Sequence, residues 1–181
     1  MRLEKGLLHV YFGDGKGKTT AALGQAFRSA GRGLGVLVLQ FFKPASNPSG
    51  ECAWGGQASP PRPGITFRRL EQRHPFFDRK ADKSLIRAQI LGALEELRGE
   101  WEREAWDLVV LDEINIALRD GYVTWGEFSA LLDARPARLE LVCTGRGAPP
   151  ELIQRADYAT EMRKVRHPME RNIAAREGVE F

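Results

Sequence analysis

The segment VYFGDGKGKTTAA, Val10 to Ala22, constrains this chain more than any other. An apolar run, Leu7–Phe12, breaks into glycines at 13, 15 and 17. It resumes at Lys18 as the helical pattern KTTAALGQAFRSA, which runs to about Ala30 and stops at Gly31-Arg32-Gly33. A strand that turns through glycines into a helix gathers backbone N–H groups and the positive helix end at one spot, and such a spot cradles phosphate. Gly13, Asp14, Gly15, Lys16 and Gly17 form the loop and Thr20 continues the helix start. Lys18 adds a point charge for phosphate oxygens, and Thr19 adds a hydroxyl for Mg²⁺. Lys16 is an extra cation inside the loop. The standard spacing would put the first glycine at Phe12, so this loop is one residue short. A ligand-free tight turn is the alternative, and the order strand, loop, Lys-Thr, helix argues against it.

The rest of the chain alternates apolar strands with helical stretches. Strands are expected at Gly35–Phe42, Ile65–Leu70, Leu108–Leu111, Leu139–Cys143 and Ala159–Val165. Ile86, Ile90, Leu94, Leu97 and Trp101 recur at helical spacing, which predicts a long amphipathic helix over roughly Asp82–Glu104. Shorter helices are expected at Trp125–Ala134 and Pro149–Arg155. Five of the ten prolines fall in Pro44–Gly64, which reads as a long loop of the kind that carries function. Strands this continuously apolar belong to a mostly parallel sheet covered by helices on both faces, an α/β three-layer fold. Ligands of such sheets bind beyond the strand carboxyl ends. The polar clusters after Phe12, Leu111 and Cys143 all fall there.

At 181 residues, with 43% hydrophobic and 28% charged residues, one globular domain over residues 1–181 is expected. No apolar run is long enough to span a bilayer, so neither a membrane nor a signal segment is expected and the cytoplasm is the expected location. The net charge of +3 is spread among acids and makes no basic stripe, which argues against a nucleic-acid partner. Cys52 and Cys143 lack metal-ligand or disulfide spacing.

Asp112-Glu113 follows four apolar residues, the form of an acid pair that holds Mg²⁺ directly or through water. Capping of the next helix competes for Asp112, and spacing does not say which acid meets the metal. Arg146, between two glycines at a strand end, suits triphosphate charge, against the bland reading of a turn arginine. Arg28 on the first helix could reach a nucleotide or face solvent. His9, His74 and His167 stand alone, and no Ser/His/Asp or Cys/His arrangement occurs. No general base suggests itself, whereas a kinase or ATPase needs one.

With Gly13-Asp14-Gly15-Lys16-Gly17-Lys18-Thr19-Thr20-Ala21 in place, the chain resembles the P-loop ATP:corrinoid adenosyltransferases. The likeness extends through Gln40-Phe41, Gly50-Glu51, Leu111-Asp112-Glu113-Ile114-Asn115, Gly121-Tyr122, Arg135-Pro136, Thr144-Gly145-Arg146-Gly147, Ala156-Asp157, Val165-Arg166-His167 and Gly178-Val179-Glu180-Phe181. The resemblance implies a RecA-like P-loop fold and transfer of the 5′-deoxyadenosyl group of ATP, the co-substrate, to a Co(I) corrinoid. Cobalt is then the nucleophile, and no base is required. It implies that Gly13–Thr20 bind phosphates. Lys18 and Arg146 would be catalytic, stabilising the triphosphate leaving group. Thr19, Glu113 and Asp112 would hold Mg²⁺ (or Mn²⁺), and Asn115 would lie on the corrinoid side. A homodimer and an external reductase are implied as well. One departure stands out: the family's Phe-x-Trp corrinoid contact is replaced by Glu71–Asp78, without tryptophan, where Phe76 and Phe77 are the nearest substitutes. A small-molecule kinase and a non-catalytic nucleotide switch are the competing readings. They differ in product: ADP for the kinase, and none for the switch.

Overall fold

The structure, a computed structural model, describes residues 3–43, 49–51, 64–70, 81–103 and 105–180. The strands are β1 (Leu8–Phe12), β2 (Gly35–Gln40), β3 (Gly64–Arg69), β4 (Leu108–Asp112), β5 (Glu140–Thr144) and β6 (Tyr158–Glu161). Between them run α1 (Lys18–Ala30), α2 (Lys83–Glu102), α3 (Ile114–Arg119), α4 (Trp125–Asp133) and α5 (Pro150–Arg155). A short 3₁₀ turn at Pro168–Arg171 follows.

All strand pairings are parallel, in the order β3-β2-β4-β5-β1-β6. The alternation of side chains along a strand sends Val36 and Val38 to one face and Leu37 and Leu39 to the other. The first pair packs with Val110, Val142 and the small Ala22 and Ala26 of α1. Alanines one turn apart let α1 approach the sheet closely. The second pair packs with Leu111, Leu141 and the Ile86, Ile90, Leu94, Leu97 stripe of α2. Each such side chain contributes about 1.5–3 kcal/mol by leaving water. Burial on both faces is why the strands read as unbroken apolar runs.

Helix ends are set by short-range chemistry. Asp82 caps α2 by accepting from Ser84 N and Leu85 N. Thr124 and Glu127 form a reciprocal capping box on α4. The expected elements are present within a few residues, with three differences. β2 ends at Gln40 because Phe42 takes φ 59°, in the left-handed region. β6 ends at Glu161, where Met162 turns toward the glycine loop. Helix α3 is an additional element, begun by Glu113 at φ 71°. Among the described residues, no helix is long and apolar enough to cross a membrane.

Candidate nucleotide site

The strand order makes β4, β5 and β1 neighbours, so the three polar clusters at their carboxyl ends meet. Loop Gly13–Gly17 lies against the segment after β6. Gly15 N donates to Met162 O at 2.7 Å, Met162 N donates to Phe12 O at 2.8 Å, and Lys164 N donates to Asp14 Oδ1 at 3.0 Å. A Cβ on Gly13 or Gly15 would sit 2.5 or 2.7 Å from Met162 O, inside contact distance. Gly13 also has φ 100° and Gly17 φ 121°, which side-chain-bearing residues avoid. The glycines therefore admit Met162 and Arg163 as well as shaping the loop. The Lys164 N–H holds the Asp14 carboxyl below its ordinary range.

Lys18 is buried and its ammonium donates to Gly13 O and Gly15 O at 2.8 and 2.7 Å, which centres a cation within the loop. Burial pulls its pKa down, with Glu113 the main opposing influence. Lys16 and Thr20 are exposed beside it. Thr19, in the first turn of α1, donates its hydroxyl to Asp112 Oδ1 at 2.8 Å.

Asp112 is wholly buried. It accepts from Thr144 Oγ1 at 2.7 Å, Lys43 Nζ at 2.5 Å and Gln40 Nε2 at 3.2 Å as well. Burial alone would raise its pKa, but Lys43 and the two threonine hydroxyls hold it below the ordinary value. Glu113 next to it shifts the other way, raised by burial and then by the Asp112 charge. Its Oε2 is buried without a hydrogen-bond partner among the described residues.

Gly145, at φ 132°, passes so close that a Cβ would lie 3.1 Å from Glu113 Oε2 and 3.0 Å from Asn115 Cβ. Arg146 follows it, exposed, and acts electrostatically on Asp14, Lys18 and Glu113.

A hydroxyl and an unpartnered carboxylate oxygen are oxygen donors that suit a hard divalent cation. Mg²⁺ typically takes one or two carboxylates, with waters and phosphate oxygens completing its shell. Thr19 and Glu113 fit that role directly, and Asp112 stands behind Thr19.

The structure brings Gly13–Thr20, Asp112, Glu113 and Arg146 together. Arg28 is placed elsewhere: it is exposed in the last turn of α1, about 15 Å along the axis from Lys18. Asn115 is fully buried, and its amide donates to Tyr11 O at 3.3 Å and Gly145 O at 3.2 Å. Its amide ties β1 to the turn after β5, and its Oδ1 is buried without a hydrogen-bond partner among the described residues. Phe76 and Phe77 lie outside the described residues. His9 is packed, bonded to Glu140 Oε1 at 2.6 Å and stacked on Tyr158.

Lys43 and the Met162–Lys164 segment were not picked out from the residues. Lys43 lies three residues beyond Gln40, and the one sequence signal for it is a cation just past an apolar strand.

A parallel α/β sheet with a glycine loop, a loop lysine and a threonine–acid pair defines a P-loop nucleotide-binding protein. The family model for "ATP:corrinoid adenosyltransferase BtuR/CobO/CobP" matches residues 4–181. A corrinoid adenosyltransferase of Pseudomonas aeruginosa is 37% identical across 99% of this chain and 86% of its own length. One from a Sinorhizobium species is 37% identical across 98% of this chain and 81% of its own. Corrinoid adenosyltransferase CobA of Salmonella typhimurium is 31% identical across 98% of this chain and 87% of its own. The chain belongs to the ATP:corrinoid adenosyltransferase family and is an enzyme of it.

Proposed function

We propose that this protein transfers the 5′-deoxyadenosyl group of ATP to a Co(I) corrinoid and releases triphosphate, in adenosylcobalamin synthesis or salvage. The electron pair of cobalt attacks C5′, the C5′–O bond breaks, and its electrons leave on the triphosphate. The observation that carries the reading is the phosphate cradle of Gly13–Thr20 in a chain that the adenosyltransferase family model matches over residues 4–181, and neither histidine among the described residues is free to act as a base. Of the two described histidines, His9 is locked on Glu140 and His167 caps the 3₁₀ turn. A kinase would need a residue to take the acceptor's proton.

In this reading the loop N–H groups and the start of α1 bind the phosphates. Lys18 and Arg146 stabilise charge as it develops on the leaving oxygen, the type of contribution that dominates many enzyme sites. Thr19 and Glu113 would hold Mg²⁺, which would neutralise triphosphate charge. Asp112 orients Thr19. Phe76 and Phe77 are assigned to the corrinoid on resemblance alone. The same resemblance supports a cytoplasmic homodimer working with an external reductase, and a single domain carrying the whole site.

The test is to mix ATP with chemically reduced cobalamin and follow the Co(I) absorbance. Its loss, with formation of a light-sensitive Co–C product and triphosphate, is the expected result. ADP without that product would return the kinase reading.

A further inference from the structure

A carboxylate offers about four lone-pair positions. On Asp112 all are used by side chains: two hydroxyls on Oδ1, and an ammonium and an amide on Oδ2. The adjacent carboxylate is the reverse, since Glu113 Oε2 is buried and unpartnered. Thr19 spends its proton on Asp112, which leaves its oxygen lone pairs for a ligand.

Lys43 is held in place from several sides. Phe42 before it adopts φ 59°, a left-handed conformation that non-glycine residues avoid, and its ring packs on Tyr122 at 5.6 Å. Gln40, the second donor to Oδ2, also reaches Glu51 Oε1 at 3.2 Å. The backbone turn therefore aims Lys43 at Asp112, and the aromatic contact holds that turn.

We propose that Lys43 is a positioning residue that keeps Asp112 out of the cation's coordination sphere. Its ammonium balances the buried carboxylate, Asp112 fixes the Thr19 hydroxyl, and the divalent cation is left to Thr19, Glu113 and the triphosphate. A cation bound directly to Asp112 would have to displace Lys43 or share an oxygen with it, at strong mutual repulsion. The inference rests on the nucleotide-and-cation reading of this site.

Mn²⁺ binding in the presence of ATP, counted from the electron paramagnetic resonance signal of free Mn²⁺, reads this out without turnover. The proteins to compare are the unsubstituted chain, K43M and K43M/D112N. K43M removes a positive charge that balances a carboxylate beside the cation and should bind Mn²⁺ about tenfold more tightly, an electrostatic gain. K43M/D112N removes both charges of the pair and should return to within about threefold of the unsubstituted protein. Loss of about tenfold or more in K43M/D112N would make Asp112 a direct ligand and overturn the proposal, as would unchanged or weaker binding in K43M. If K43M does not fold, K43M/D112N decides alone. An unsubstituted protein that binds no Mn²⁺ with ATP would overturn the cation site and this inference together. Binding there with the wrong pattern in the variants would overturn the inference only.

Discussion

Asp107 and Asp112 stand at opposite ends of the same strand, both buried, and do opposite work. Asp107 is joined to main chain: its Oδ2 accepts from Gly35 N at 2.8 Å, its own N–H donates to Gly35 O at 2.9 Å, and its carbonyl accepts from Glu140 N at 3.0 Å. It clamps β2 and β5 to β4. The Asp112 carboxylate is held by side chains alone, those of Thr19, Gln40, Lys43 and Thr144, while its carbonyl accepts from Phe41 N at 2.9 Å. The difference follows from strand polarity. At the amino ends of parallel strands, unpaired N–H groups are available to a carboxylate. At the carboxyl ends the spare backbone groups are carbonyls, which cannot donate. A buried acid there must recruit side-chain donors, and the same donors can serve a ligand.

The largest expected effect is at the carboxyl end. Asp112→Ala strands a mostly buried lysine and two threonine hydroxyls, so urea denaturation should show a loss of about 3 kcal/mol. That is the low end for a broken buried pair, because the Lys43 side chain keeps 28% exposure. Nucleotide binding should fall with it, and stability equal to that of the unsubstituted protein would break the contrast.

Lys18→Ala removes the cation centred in the loop and should slow adenosyl transfer by about 10²–10³-fold in single-turnover measurements, with a smaller effect on folding. Asp107→Ala should cost about 1–3 kcal/mol for the amide it orphans, while the folded fraction keeps its transfer rate. A rate loss there as large as that of Lys18→Ala would erase the distinction between the two strand ends.

Smallest is Glu127, an exposed acid that belongs to neither end. Its hydrogen bonds from Arg87, then from Thr124, pull its pKa down to about 2. With the folded value below the ordinary 4.5, its contribution is full above pH 4.5 and lost as the pH falls toward 2. Exposure limits it to about 1 kcal/mol or less. Unfolding of Glu127→Gln and the unsubstituted protein should differ by that much at pH 7 and converge near pH 2.

Local features were legible in the sequence. The helix KTTAALGQAFRSA has the expected bounds, because its start is written in Gly17-Lys18 and its end in the glycines after Ala30. The three polar clusters were legible because they end apolar runs. What escaped depended on strand order. Lys43 meets Asp112 only because β2 lies beside β4, and Met162 meets Gly13 and Gly15 only because β6 lies beside β1. Helix α3, six residues begun by a left-handed Glu113, was not legible either, and it is what buries Asn115. A helix that short carries too little periodicity to be read. The one-residue shortening of the loop has a structural counterpart: Phe12 closes β1 and its carbonyl accepts from Met162 N, so the glycines begin where the segment after β6 meets the loop.

The most direct test is to follow the two ends of ATP in one reaction. With ¹⁴C in the adenosine and ³²P at the γ-position, reduced corrinoid as acceptor should take up the ¹⁴C, and all ³²P should remain in triphosphate. Appearance of ³²P on the acceptor, with ¹⁴C in ADP, would contradict adenosyl transfer at this site.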